Sequence, residues 1–187
     1  MKKIDTELKD CYVLEPARFG DARGYFSAPY IDEEYRELGF QGLKQVSRSK
    51  SAKGVLRGMH FQKGEYAQAK VVEAVQGAVI DAVVDLRRDS PSYGKWITVL
   101  LTPENGRQLY VPRGFAHGFI SLKDDTVFQY FVDNVYSPDQ EGGIAWDDPT
   151  IGIDWQSIFD EYSIEKPELS AKDSDRMSFA EYNKEQA

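Results

Sequence analysis

Thiol chemistry is nearly absent from this chain: of its 187 residues one is a cysteine, Cys11. A lone cysteine excludes an internal disulfide framework and suits a reducing compartment such as the cytosol. Long apolar runs are missing too. Nothing approaches the roughly 18 apolar residues a membrane helix needs, and the opening MKKIDTELKD lacks a signal peptide's apolar stretch. Positive charge is in deficit, with 23 Lys and Arg against 31 Asp and Glu and a formal net charge of −8. Phosphate attraction depends on a positive surface, so general binding to nucleic acid or to an acidic membrane is not expected. The expectation is a cytoplasmic protein with no nucleic-acid and no membrane partner.

What is present reads as a soluble globular protein, 41% hydrophobic and 29% charged. The length suits one domain, residues 1–187, with a full hydrophobic core. Most of it is strand. KVVEAVQGAVIDAVVDL (70–86) holds two β-branched runs divided by Gln76-Gly77, a hairpin or sharp-bend signal. KWITVLLT (95–102), RQLYVP (107–112), AHGFISL (116–122) and TVFQYFV (126–132) follow, separated by turn chemistry such as TPENG, PRG and KDD. Short, closely spaced strands predict an all-β sandwich or barrel rather than alternating βαβ units. Helices are few and peripheral. IDEEYRELGF (31–40) has Asp32 to start it and Gly39 to stop it, and Ser178 with Glu181 forms a capping-box pattern. DDPTIGIDW (147–155) reads as loop.

Candidate chemistry centres on GVLRGMHFQ (54–62), which holds His60, one of only two histidines. Strand alternation puts Leu56, Gly58, His60 and Gln62 on one face and Arg57 on the other. Arg57 and His60 serve one pocket only if the strand bulges between them, and Gly58 is the residue that permits it. The local pattern leaves three roles for His60: base, metal ligand or core histidine. A metal site is disfavoured, because His60 and His117 lack the close H-x-H or H-x-x-x-H spacing of a strand-borne site. His117 lies between Gly114 and Gly118, which suit either close ligand approach or a plain strand. Tyr130 shares a face with Phe128 and Val132, so its hydroxyl needs a partner and is either structural or a proton donor. Lys70 shares a face with Val72 and Ala74, where a charge needs an anionic partner from protein or ligand. Asp124-Asp125 and Asp147-Asp148 read as turn residues, and Cys11 has no neighbouring base. The chain carries no G-x-S-x-G elbow, P-loop or G-x-G-x-x-G.

Seven segments appear in a fixed order: FGDARGYF, GVLRGMHFQ, YAQAK, DLRRDSPSYGKW, RQLYVPRGFAHGF, GGIAWDDPTIGIDW and LSAKD. Together, over about residues 10 to 175, they resemble the dTDP-4-dehydrorhamnose 3,5-epimerases. The resemblance implies a cupin-like jelly-roll β-barrel with a few short peripheral helices, and a homodimer with N-terminal strand exchange. It implies C3 and C5 epimerisation of a dTDP-linked 4-keto-6-deoxy sugar through enolates, without metal or other cofactor. It assigns His60 as base, Asp173 as the carboxylate that orients it and Tyr130 as proton donor on the opposite face. Lys70 becomes the candidate for enolate stabilisation, helped by His117. Arg23, Gln45, Ser47, Arg57, Glu141 and Lys172 become substrate contacts. The chain departs from the family pattern at Ala28, where an acidic residue is usual, and at Gln45-Val46-Ser47, where Gln-Asp-Asn is common. These departures bear on nucleotide and sugar preference rather than on the chemistry. The alternatives are a 3-epimerase, or a 3,5-epimerase of another nucleotide-linked keto sugar. A non-catalytic sugar-nucleotide-binding cupin and a sugar ketoisomerase follow behind.

Overall fold

The computed structural model describes residues 1–185. Their strands gather into two large antiparallel sheets and one hairpin. The six-stranded sheet runs β1 (Lys2–Asp5), β2 (Tyr12–Glu15), β10 (Gln108–Val111), β7 (Lys70–Gln76), β12 (Thr126–Val132), β5 (Gln45–Ser51). The five-stranded sheet runs β13 (Glu141–Gly143), β6 (Leu56–Gln62), β11 (Phe115–Ser121), β8 (Val79–Asp85), β9 (Trp96–Leu101). The hairpin is β3 (Arg18–Asp21) with β4 (Gly24–Ser27). This is the expected all-β architecture, two sheets packed face to face in the manner of a jelly roll.

The period-2 alternation of the strands explains where the core sits. Val72 and Ala74 of β7, Phe128 of β12, Val79 and Val83 of β8 and Phe119 of β11 meet in one buried cluster between the sheets. The next residues along the same faces are Lys70, Tyr130 and His117, and they line a cavity instead. One set of strands therefore supplies an apolar plug and, beyond it, polar groups. Behind the five-stranded sheet, Met59, Ala82, Val84 and Ile120 pack under Trp155, Ile158 and Phe159. Those three belong to helix α2 (Trp155–Tyr162), capped by Asp154, whose side chain accepts from the Ser157 amide.

Of the two readings of Gln76-Gly77, hairpin or sharp bend, the structure has the bend: β7 and β8 belong to different sheets, and the chain passes so close to Thr126 that a Cβ at Gly77 would lie 2.8 Å from its Cα. Two local readings need revision. The helix read over 31–40 is the short α1 (Asp32–Arg36), with Ile31 rather than Asp32 as its cap. The Asp32 carboxylate is engaged by Tyr30 and Arg36 and so is not free to cap backbone. Helix α2 begins at Trp155, the last residue of the stretch read as loop, and is an element the sequence pattern does not predict. The Ser178–Glu181 capping box does form, at the start of α3 (Phe179–Glu185).

Candidate active site

The bulge that Arg57 and His60 require is present. On β11, His117 pairs with His60 and Phe119 with Arg57, so two steps on one strand match three on the other. Gly58 adopts φ +147°, and a Cβ there would sit 2.6 Å from the Gly118 Cα. Gly118 is equally constrained, since its Cβ would lie 2.7 Å from the Arg57 carbonyl oxygen. Its glycine thus serves strand-to-strand approach rather than ligand approach. The face assignment changes at this bulge. Leu56 joins Met59 in the core behind the sheet, while Arg57, His60 and Gln62 all line the cavity.

The cavity has a volume of about 320 Å³, within the range of small-molecule sites. One wall is the five-stranded sheet with Arg57, His60 and His117; the other is the six-stranded sheet with Gln45, Ser47, Lys70 and Tyr130. Glu141 and Asp173 close one side. His60 Nε2 lies 2.5 Å from Asp173 Oδ1. A proton on Nε2 donated to that oxygen leaves Nδ1 with its lone pair, the form a base needs. Burial pushes the Asp173 carboxyl up, but the hydrogen bond and charge of His60, with Ser170 and Arg176, hold it below its ordinary value.

The opposite wall keeps its protons differently. Burial raises the Tyr130 phenol far above its usual value, so it stays a neutral donor. Its ring is edge-on to Phe128 and to His117, and its hydroxyl lies 3.5 Å from Ser49 Oγ. Lys70 is pulled down to about 8 by burial, against the opposing charges of Asp81 and Glu141. Glu141 is pushed up by burial, yet Lys172, Arg176 and Tyr136 bring it down to about 2. The cavity thus combines a carboxylate-held imidazole, an un-ionised phenol and a desolvated amine.

Two of the sequence candidates, Arg23 and Lys172, do not line the cavity in a single chain. Arg23 stands at the tip of the β3–β4 hairpin with its side chain 90% exposed, paired to Asp21 at 2.6 Å. Ala28 lines a separate groove beside that hairpin. Val46 points out of the six-stranded sheet, exposed, whereas Ser47 faces the cavity and accepts from Gln45 Nε2 at 2.8 Å. Lys172 reaches Glu141 Oε1 at 2.6 Å from the rim. Among the described residues no three His, Cys, Asp or Glu side chains converge as a metal site would require, and no helix is long and apolar enough to cross a membrane.

Two polar residues of the site escaped the sequence reading. Asp81 is fully buried on β8, with Oδ1 2.7 Å from His117 Nε2. Its signal was legible: a carboxylate inside GAVIDAVV needs a partner for the same reason Lys70 does. Arg176 lies between Glu141 and Asp173, at 2.5 and 3.7 Å. Nothing in its sequence surroundings marks it, because both partners come together only through the fold.

A family model described as dTDP-4-dehydrorhamnose 3,5-epimerase matches residues 5–181. The enzyme of that name from Salmonella typhimurium is 47% identical over 173 residues, 91% of either chain. Among solved structures, the Elizabethkingia anophelis NUHP1 dTDP-4-dehydrorhamnose 3,5-epimerase superposes with a TM-score of 0.89 at 43% identity, covering 98% of each chain. A Legionella pneumophila dTDP-6-deoxy-D-glucose-3,5-epimerase in complex with dTDP-4-keto-L-rhamnose gives a TM-score of 0.86 at 37% identity, covering 95% of this chain and 92% of that one.

Proposed function

The chain belongs to the dTDP-4-dehydrorhamnose 3,5-epimerase family, and from that premise we propose how its cavity carries out the reaction. The enzyme epimerises C3 and C5 of dTDP-4-dehydro-6-deoxy-D-glucose, giving dTDP-4-dehydro-L-rhamnose in dTDP-rhamnose biosynthesis. Both carbons flank the C4 carbonyl, so loss of either proton yields an enolate, and its oxygen needs positive charge or hydrogen-bond donors. Only protons move, so the chemistry calls for no redox partner.

The observation that carries this reading is the His60–Asp173 pair on one wall and Tyr130 on the other. His60 removes the proton while Asp173 orients its ring and balances the imidazolium. Tyr130 returns a proton to the opposite face of the ring. Lys70, cationic below about pH 8, meets the developing oxygen charge with help from His117. Arg57, exposed at the mouth, suits a diphosphate through its planar fork. Gln45, Ser47, Glu141 and Lys172 complete the contacts to the nucleotide sugar.

Residues 1–187 act as one domain in the cytoplasm, and the working unit is a homodimer with an exchanged N-terminal segment. Support comes from the β3–β4 hairpin. Phe19, Tyr25 and Phe26 are 68%, 59% and 71% exposed there, an arrangement a monomer rarely leaves to water. Exchange of that hairpin would also bring Arg23 to a partner's cavity.

The test is incubation with dTDP-4-keto-6-deoxyglucose in heavy water. Deuterium is expected at C3 and C5, with incorporation falling at least about a hundredfold in His60→Ala and inversion falling by as much in Tyr130→Phe. Exchange at C3 alone would make the protein a 3-epimerase. Wild-type exchange retained by folded His60→Ala would overturn the assignment of the base.

A further inference from the structure

The carboxylate that holds the base does not lie on a strand. The backbone around Asp173 is anchored by two isolated parallel bridges, Val55 to Glu168 and Ile144 to Met177. Between them Asp173 makes local turn contacts, its amide donating to the Ser170 carbonyl and hydroxyl at 3.1 Å each. Such a loop does not by itself hold a carboxylate on a histidine from β6. Something else has to.

We propose that Arg176 is a positioning residue whose guanidinium, shared between Glu141 and Asp173, sets the Asp173 carboxylate against His60. The inference rests on the epimerase reading and extends it to a residue outside the cavity lining. Arg176 Nη2 lies 2.5 Å from Glu141 Oε1 and 3.7 Å from Asp173 Oδ1. That is the same Asp173 oxygen that meets His60 Nε2 at 2.5 Å. The Arg176 side chain is only 9% exposed. It lies against the backbone of Gly143, where a Cβ would sit 2.9 Å from its Cδ and Nε.

Simple fastening does not account for this placement. Lys172 already ties the segment to Glu141 Oε1 at 2.6 Å, with a side chain 55% exposed and so at little desolvation cost. Arg176 by contrast buries its Nε without a partner among the described residues, a penalty that a redundant clasp would not recover. What Arg176 adds is a positive charge behind Asp173. The groups facing that carboxylate are His60, Ser170 and Arg176; those facing Glu141 are Lys172, Arg176 and Tyr136, with His60 beyond. Removing the guanidinium leaves a more basic carboxylate against His60.

The experiment compares wild type, Arg176→Gln and Arg176→Lys on the same keto sugar, following kcat/KM against pH. Arg176→Gln is expected to lose about tenfold or more at neutral pH, with the acidic limb raised by about half a unit or more. Arg176→Lys is expected to recover part of the rate and return the limb toward wild type. A second measurement needs no substrate: the downfield proton resonance of the His60–Asp173 hydrogen bond should shift in Arg176→Gln and move back in Arg176→Lys. Wild-type limb and wild-type resonance in folded Arg176→Gln overturn the proposal. So does a rate loss in which neither moves. Should wild-type protein fail to exchange the sugar's protons, the epimerase reading falls, and the resonance alone decides the role of Arg176.

Discussion

His117 and Asp81 form a buried pair deep between the sheets, Nε2 to Oδ1 at 2.7 Å, and the other carboxylate oxygen has no partner among the described residues. Burial pulls the imidazole down and pushes the carboxyl up, each opposed by its partner's charge. Asp81 also raises the pKa of Lys70 against burial. One carboxylate therefore supports both groups assigned to the enolate.

Asp81→Asn is expected to keep the ring in place but remove that charge. The rate should fall at least about tenfold, and the alkaline limb of kcat should move to lower pH, because Lys70 loses the anion that favours its charged form. An unchanged alkaline limb in an active Asp81→Asn enzyme would count against the Asp81–Lys70 coupling.

Lys70 itself ties activity and stability to pH with opposite signs. Burial lowers it from 10.5 to about 8 in the folded protein. Activity is expected to decline above about pH 8 as the ammonium is lost. Between about pH 8 and 10.5 the unfolded lysine binds more protons than the folded one, so this group makes stability rise with pH over that window. Denaturant titrations across the window, with Lys70→Met as reference, check the sign. In Lys70→Met that slope should diminish, and turnover should drop about a hundredfold.

The bulge at Gly58 carries its own prediction. Alanine there must hold φ near +147° and place its Cβ 2.6 Å from the Gly118 Cα. Backbone strain and overpacking together should cost about 3 kcal/mol or more. A thermal melt should show the loss, and any folded fraction should turn over poorly, since the bulge turns Arg57 toward the same cavity as His60. A variant that melts like wild type and keeps its activity would mean that the bulge is not required.

Much of this was legible beforehand for a plain reason. Alternation along 70–76 and 126–132 predicts which side chains point inward, and Lys70 and Tyr130 do line the cavity with the expected neighbours. Gly58 was recognised as the place where strand β6 could bulge. The helix over 31–40 is shorter than its pattern suggests because it stops at Arg36 and the chain turns through hydrogen bonds from the Leu38 amide to Tyr35 and from the Gly39 amide to Arg36. Asp81 was overlooked although it obeys the rule that singled out Lys70.

By itself the sequence determined the all-β class, the inward-facing positions of β7 and β12 and, through the order of its motifs, the family. Those features depend on near neighbours along the chain, or on resemblance. Tertiary structure alone decided the passage from one sheet to the other at Gly77, the meeting of His117 with Asp81 across 36 residues and the bridging of Glu141 and Asp173 by Arg176. It also set Arg23 apart from its own chain's cavity. Each of these is a contact between segments whose register is fixed by strand pairing and side-chain volume over long separations, and a linear pattern carries no record of which distant partner a buried charge will find.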